Sequence, residues 1–77
     1  MHPINRSLDH LAPGERTTVA AVHGEPALRR RLLEMGLTPG VEVEAVRRAP
    51  LGDPLEVRLR GYHLSLRGAQ ARLVAVR

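Results

Sequence analysis

EPALRRRLLEMGLTPG, residues Glu25–Gly40, reads as one helix, its stop signal and the turn that follows. Pro26 suits the first helical position, where its missing N–H would have had no partner. Leu28, Leu32 and Met35 recur at i, i+4 and i+7 and so share one face. Gly36 supplies the left-handed residue that stops a helix, and Leu37 falls where the chain folds back onto Leu32. Thr38-Pro39-Gly40 fits a type II turn, with Pro presetting φ. The spacing predicts one helix from Pro26 to Met35 and a turn that launches a strand.

Downstream of the turn, Val41, Val43 and Ala45 alternate with Glu42 and Glu44 in strand two, Val41–Arg48. Val46 breaks the alternation, which predicts a bulge or bend near Ala45–Arg47. APLGDP, Ala49–Pro54, carries two prolines and reads as an exposed loop. Leu55, Val57 and Leu59 alternate with Glu56, Arg58 and Arg60 in strand three. Arg60-Gly61 is a tight turn. Tyr62, Leu64 and Leu66 mark strand four, Gly68–Ala71 a short turn, and Arg72–Val76 strand five.

Upstream, Glu15–Gly24 is strand one, and its apolar centre Val19–Val22 predicts burial on both faces. Ser7–Leu11 reads as one helical turn capped by the Ser7 hydroxyl, with Leu8 and Leu11 pointing inward. Met1–Arg6 is a lead-in. Five short strands and one helix are most economically protected by closure, which removes exposed sheet edges. The expected fold is mainly β: a small SH3-like barrel of about five strands. One α-helix is inserted after the first strand and plugs one end.

At 77 residues the chain is one domain, 1–77, with a core spanning about 7–76. It has no Cys, which excludes disulfides and thiolate chemistry. No apolar run approaches the roughly 20 residues of a membrane span. MHPINRSLDH has no apolar h-region, so the expected location is cytoplasmic. The net charge is +4 and all 12 basic residues are Arg. That balance permits nucleic-acid or acidic-surface binding, but a lone aromatic, Tyr62, argues against a base-stacking platform.

No catalytic residue is assigned, since neither Ser7 nor Ser65 sits in a nucleophile elbow and no Gly-rich phosphate loop exists. No metal ligand and no cofactor are assigned. His2, His10, His23 and His63 lack the spacing that would aim two imidazoles at one ion. Arg29-Arg30-Arg31 point about 100° apart on a helix. They form either a solvated face, with Arg30 paired to Glu34, or part of an interaction surface with Arg47, Arg48, Arg58 and Arg60. Leu33 lies off the Leu28–Leu32–Met35 stripe. It either closes a second side of the barrel or marks a partner site between arginines. Leu51, at the tip of APLGDP, poses the same choice. The candidate partner contact is therefore Leu33 and Leu51, with Arg29, Arg30 and Arg48 at the rim.

RRLLEMGLTPG (Arg30–Gly40), followed by RRAPLGDPLEVRLRGYHLSLR (Arg47–Arg67), resembles the bacterial ferrous iron transport protein A family, FeoA. SLDHLAPGE (Ser7–Glu15) is similar to that family's leading segment, and Met35 stands where Leu is commoner. The resemblance implies a small cytosolic SH3-like barrel. It also implies a role in ferrous iron uptake through binding FeoB, the iron permease whose cytosolic part carries a GTP-binding domain. Similar barrels form the C-terminal domain of iron-dependent repressors, but this chain lacks a helix-turn-helix. The resemblance carries no catalytic or metal residue. The expected function is a non-enzymatic accessory protein that contacts the FeoB cytosolic region. The alternatives are a direct iron-binding carrier and a basic nucleic-acid-binding barrel. No nucleic-acid partner is expected on the first reading. Weak self-association through strand two or strand five stays open.

Overall fold

The computed structural model describes residues 6–77. The lead-in over residues 1–5, with His2, lies outside the described residues. Six strands form one antiparallel sheet: β1 (Arg6–Ser7), β2 (Arg16–Val22), β3 (Glu42–Arg48), β4 (Leu55–Leu59), β5 (Tyr62–Leu66) and β6 (Val74–Val76). Helix α1 (Pro26–Glu34) lies between β2 and β3, and a one-turn helix α2 (Gly68–Ala71) precedes β6. Leu8–His10 forms a 3₁₀ turn. The strand order is β1-β6-β2-β3-β4-β5. β2 is shared: Arg16–Thr18 pair with β3, and Val19–Val22 pair with β6. This sharing folds the sheet around a single core, as the expected SH3-like barrel requires.

The core follows the alternation read from the sequence. Val43 and Ala45 of β3, Leu55, Val57 and Leu59 of β4, and Leu66 of β5 are buried. Leu8, Leu11, Val19, Leu32, Leu37, Val41, Ala71, Val74 and Val76 belong to the same cluster. The predicted bulge is present, since the β3–β4 register shifts between Ala45 and Arg47. The Arg60-Gly61 turn has φ of 50° and 83°, both positive as a type I′ hairpin requires.

The helix stop is a Schellman motif. Leu37 N–H donates to the Leu32 carbonyl at 3.2 Å and Gly36 N–H to the Leu33 carbonyl at 2.9 Å. Gly36 takes φ 102°, and Leu32 and Leu37 are both buried. The Thr38–Val41 turn closes with a Val41 N–H bond to the Thr38 carbonyl.

Several expectations are corrected. The strand count is six, because Arg6–Ser7 pairs with β6. β2 is not buried on both faces: the β2–β6 register shifts between Val19 and Ala21, which turns Ala20 out to solvent. α1 does not plug the barrel. It is anchored at its C-terminal end, with Leu32 its only buried residue and Leu28 exposed. Arg30 and Glu34 form no ion pair. The Ser7 turn is a capping box, in which the Ser7 side chain faces the His10 backbone as expected and Ser7 N–H donates to His10 Nδ1 at 3.1 Å. The expected self-pairing edges, strands two and five, are β3 and β6, and both lie inside the sheet. Each has a strand on both sides: 42–44 of β3 face β2 and 44–48 face β4, while β6 lies between β1 and β2.

Two half-buried carboxylates tie the sheet together. Glu15 accepts from Arg6 at 2.7 Å and from Ala12 N–H at 3.0 Å. Glu44 accepts from Arg58. The side-chain bonds to Arg6 and Arg58 hold the two carboxyls below the ordinary value of 4.5. A carboxyl lowered on folding contributes stability that is full above its unfolded value and lost as pH falls through the folded one. The melting temperature is therefore expected to be flat above about pH 5 and to fall in more acid solution. Glu44→Gln is expected to shallow that acid limb in a series of thermal melts.

Candidate functional site

Leu51 is 96 % exposed, the most exposed large apolar side chain among the described residues. Its loop, 49–54, is nevertheless held at both ends. Gly52 N–H donates to the Ala49 carbonyl at 2.7 Å, and Ala49 N–H donates to the Pro54 carbonyl at 3.0 Å. Asp53 accepts the N–H of Gly68, the first residue of α2, at 2.9 Å. The Arg48 guanidinium spans from the loop to the 3₁₀ turn. It donates to the carbonyls of Gly52 and Leu11 at 3.3 Å each, and to the carbonyl and carboxylate of Asp9. A braced loop presents Leu51 at little ordering cost, which is what an anchor residue needs.

Arg48 thus departs from the rim position expected for it. Its fork is occupied inside the fold, and it acts on Leu51 by holding the loop. Arg29 and Arg30 are exposed on α1 and, with Arg31, take part in no ion pair among the described residues. Leu33 is half-buried yet packs outside the core cluster. It is neither a core residue nor fully exposed.

The structure does not bring Leu33 and Leu51 together. The C-terminal end of α1 is held by the Tyr62 hydroxyl, which donates to the Met35 carbonyl at 2.6 Å. Tyr62 opens β5 opposite Leu59, whereas loop 49–54 enters β4 at Leu55 opposite Leu66. The two candidates therefore sit at opposite ends of the β4–β5 hairpin, whose end rungs are roughly 14 Å apart at about 3.4 Å per residue.

Spatial convergence does join two histidines that sequence spacing kept apart. His10 and His23 line one shallow groove of about 310 Å³ with Arg6, Ser7, Arg72 and Ala75. His10 Nδ1 is engaged by Ser7 N–H, and two guanidiniums share the groove. That donor set suits a cation poorly. No cluster of three or more His, Asp or Glu side chains able to hold a metal occurs among the described residues. A second open groove, about 380 Å³, runs over Arg16, Glu42, Glu44, Arg58 and Arg60. Arg16 and Arg58 there already face Glu44. Among the described residues no helix is long and apolar enough to cross a membrane.

Comparison with known proteins gives a consistent picture. The FeoA domain model matches residues 6–77. A Porphyromonas gingivalis protein described as an Fe(2+) transport protein A/Fe(2+) transporter FeoB fusion is 36% identical over 69 residues. That match covers 90% of this chain but only 8% of the larger protein. The solution structure of a FeoA-like protein from Clostridium acetobutylicum superposes with a TM-score of 0.88 at 33% identity, covering 99% of this chain and 88% of that one. The Stenotrophomonas maltophilia FeoA crystallised with zinc, described as a procaryotic SH3 domain protein, gives 0.82 at 33% identity, covering 94% and 89%.

Proposed function

The chain belongs to the FeoA domain family, a family linked to ferrous iron transport, and from that premise we propose that it is a non-enzymatic accessory domain that docks on the cytosolic region of a FeoB permease. The observation that carries this reading is the fusion in Porphyromonas gingivalis, where a segment similar to this chain is joined to FeoB in one polypeptide. Covalent linkage raises the effective concentration of one module at another and is of use when the two must meet. The braced, exposed Leu51 supplies an anchor of the kind that dominates interface energetics. Leu33 is the second anchor, with Arg29 and Arg30 steering the approach to an acidic surface.

The experiment is co-purification with the cytosolic region of FeoB from the same cell, with and without a GTP analogue. Retention is expected. Leu33→Glu and Leu51→Glu are each expected to cost about 2 kcal/mol of binding, roughly 30-fold, with little change in melting temperature. Wild-type retention by both variants would place the contact elsewhere. No retention in any nucleotide state would set the docking reading aside.

A second reading is direct metal binding, favoured by the zinc in the Stenotrophomonas maltophilia crystals. In this chain His10 and His23 are the two imidazoles that share a groove, with the guanidiniums of Arg6 and Arg72 opposing a cation there. Anaerobic calorimetry with ferrous ion tests it. Heat abolished by His10→Ala together with His23→Ala would support it, and no heat at tens of micromolar protein would count against it.

A further inference from the structure

β5 is the long free edge of the sheet, since β1 at the other edge has only two residues. The hydrogen-bonding phase of this edge follows from its turn. A two-residue hairpin is closed by a hydrogen-bonded pair, here Leu59–Tyr62, and bonded pairs recur at every second rung. The β4–β5 register runs without a shift from Leu59↔Tyr62 to Leu55↔Leu66. Tyr62, Leu64 and Leu66 therefore bond inward to β4. His63 and Ser65 direct both N–H and C=O outward, and neither has a backbone partner there among the described residues.

The side chains along this edge are sorted by face. Tyr62 and Leu64 are partly exposed on the core side. On the other side stand His63 and Arg58. Arg60 and Arg67 flank the strand, both exposed and neither in an ion pair among the described residues. No acidic residue occurs from Val57 to Arg77. The two neighbouring acids on the outer face, Glu44 and Glu56, are already paired with Arg58 and Arg47. The edge also runs from the Tyr62-held end of α1 to the base of the Leu51 loop, and so bridges the two anchors that lie apart.

We propose that β5 receives an extended segment of the partner as an added strand, paired to His63 and Ser65, with alternating apolar and acidic side chains. Strand addition draws its affinity from main-chain bonds and its specificity from alternate side chains. Apolar residues of the segment lie beside Tyr62 and Leu64, and acidic ones face Arg60, His63 and Arg67. This inference rests on the docking reading above.

The test measures amide hydrogen exchange of the full chain, alone and with the FeoB cytosolic region, and binding by Ser65→Pro. Proline is tolerated at an edge position whose N–H faces solvent, so the variant is expected to stay folded while losing one main-chain bond. The expected result is at least tenfold slower exchange at His63 and Ser65 on binding, and at least tenfold weaker binding by Ser65→Pro. Arg60→Glu with Arg67→Glu is a second variant that leaves the backbone intact, and a comparable loss is expected. Binding without protection at His63 and Ser65, undiminished in both variants, would overturn the strand-addition proposal and leave the docking reading standing. Absence of binding by the wild-type chain would overturn both.

Discussion

Gly36→Ala is expected to lower the unfolding free energy by about 2–3 kcal/mol, a fall in melting temperature of roughly 10–20 °C for a domain of this size. Two causes combine. Gly36 holds φ 102°, where an L side chain costs about 1–2 kcal/mol. A Cβ there would also lie 2.3 Å from the Tyr62 hydroxyl oxygen. The ring must then swing away, and its bond to the Met35 carbonyl is lost, at about 1 kcal/mol. Tyr62→Phe removes the obstructing oxygen, because the next ring atom stands at 3.6 Å. A double-mutant cycle read by thermal or urea unfolding is therefore expected to be non-additive. Tyr62→Phe alone costs about 1 kcal/mol, and Gly36→Ala costs correspondingly less in the Tyr62→Phe background than in the wild type. Full additivity would show that Tyr62 does not lock the helix end.

Arg48→Ala is the second large effect, expected at about 2–3 kcal/mol of stability. Arg48 is only about one-quarter exposed, and its fork serves the Asp9 carboxylate and three carbonyls. Truncation leaves those acceptors without their shared donor, and bonds from a charged donor are worth about 1.5–3 kcal/mol. Arg48→Lys is expected to recover less than half of the loss, because an ammonium on a flexible stem cannot reproduce a planar fork reaching several acceptors. The same variants separate bracing from contact. If Arg48 acts by holding loop 49–54, Arg48→Ala weakens FeoB binding, and exchange at the Gly52 amide rises in the free protein. Weaker binding with the Gly52 amide unchanged would assign Arg48 to the interface itself.

The two predictions belong to a shared arrangement. Tyr62 ties α1 to one end of the β4–β5 hairpin, and Arg48 ties the Leu51 loop to the other. Neither residue forms part of the apolar core. Both spend polar bonds on fixing where exposed groups stand. The remaining guanidiniums divide similarly. Arg6, Arg16, Arg47, Arg58 and Arg72 face carboxylates, while Arg29, Arg30, Arg31, Arg60, Arg67 and Arg77 are exposed and in no ion pair among the described residues.

Features encoded in neighbouring residues could be read before folding was considered. The helix from Pro26, its Gly36 stop, the Thr38–Gly40 turn, the bulge after Ala45 and the Arg60-Gly61 hairpin all rest on spacings of a few positions. Local conformational preference and alternation are enough to place them. The family resemblance was also legible, because its motifs are those same turns and strands. Features that join distant positions emerge only in the folded chain. Arg48 meets Asp9 across 39 residues and Tyr62 meets Met35 across 27. His10 and His23 share a groove that no spacing foretold. Ala20 turns outward because β2 leaves β3 for β6 within one strand. The free edge is β5 rather than strand two or strand five, since edges follow from strand order, and strand order is fixed by which apolar faces close one core together. Local spacing specifies elements and their faces, while the pairing of elements depends on burial that no single stretch contains.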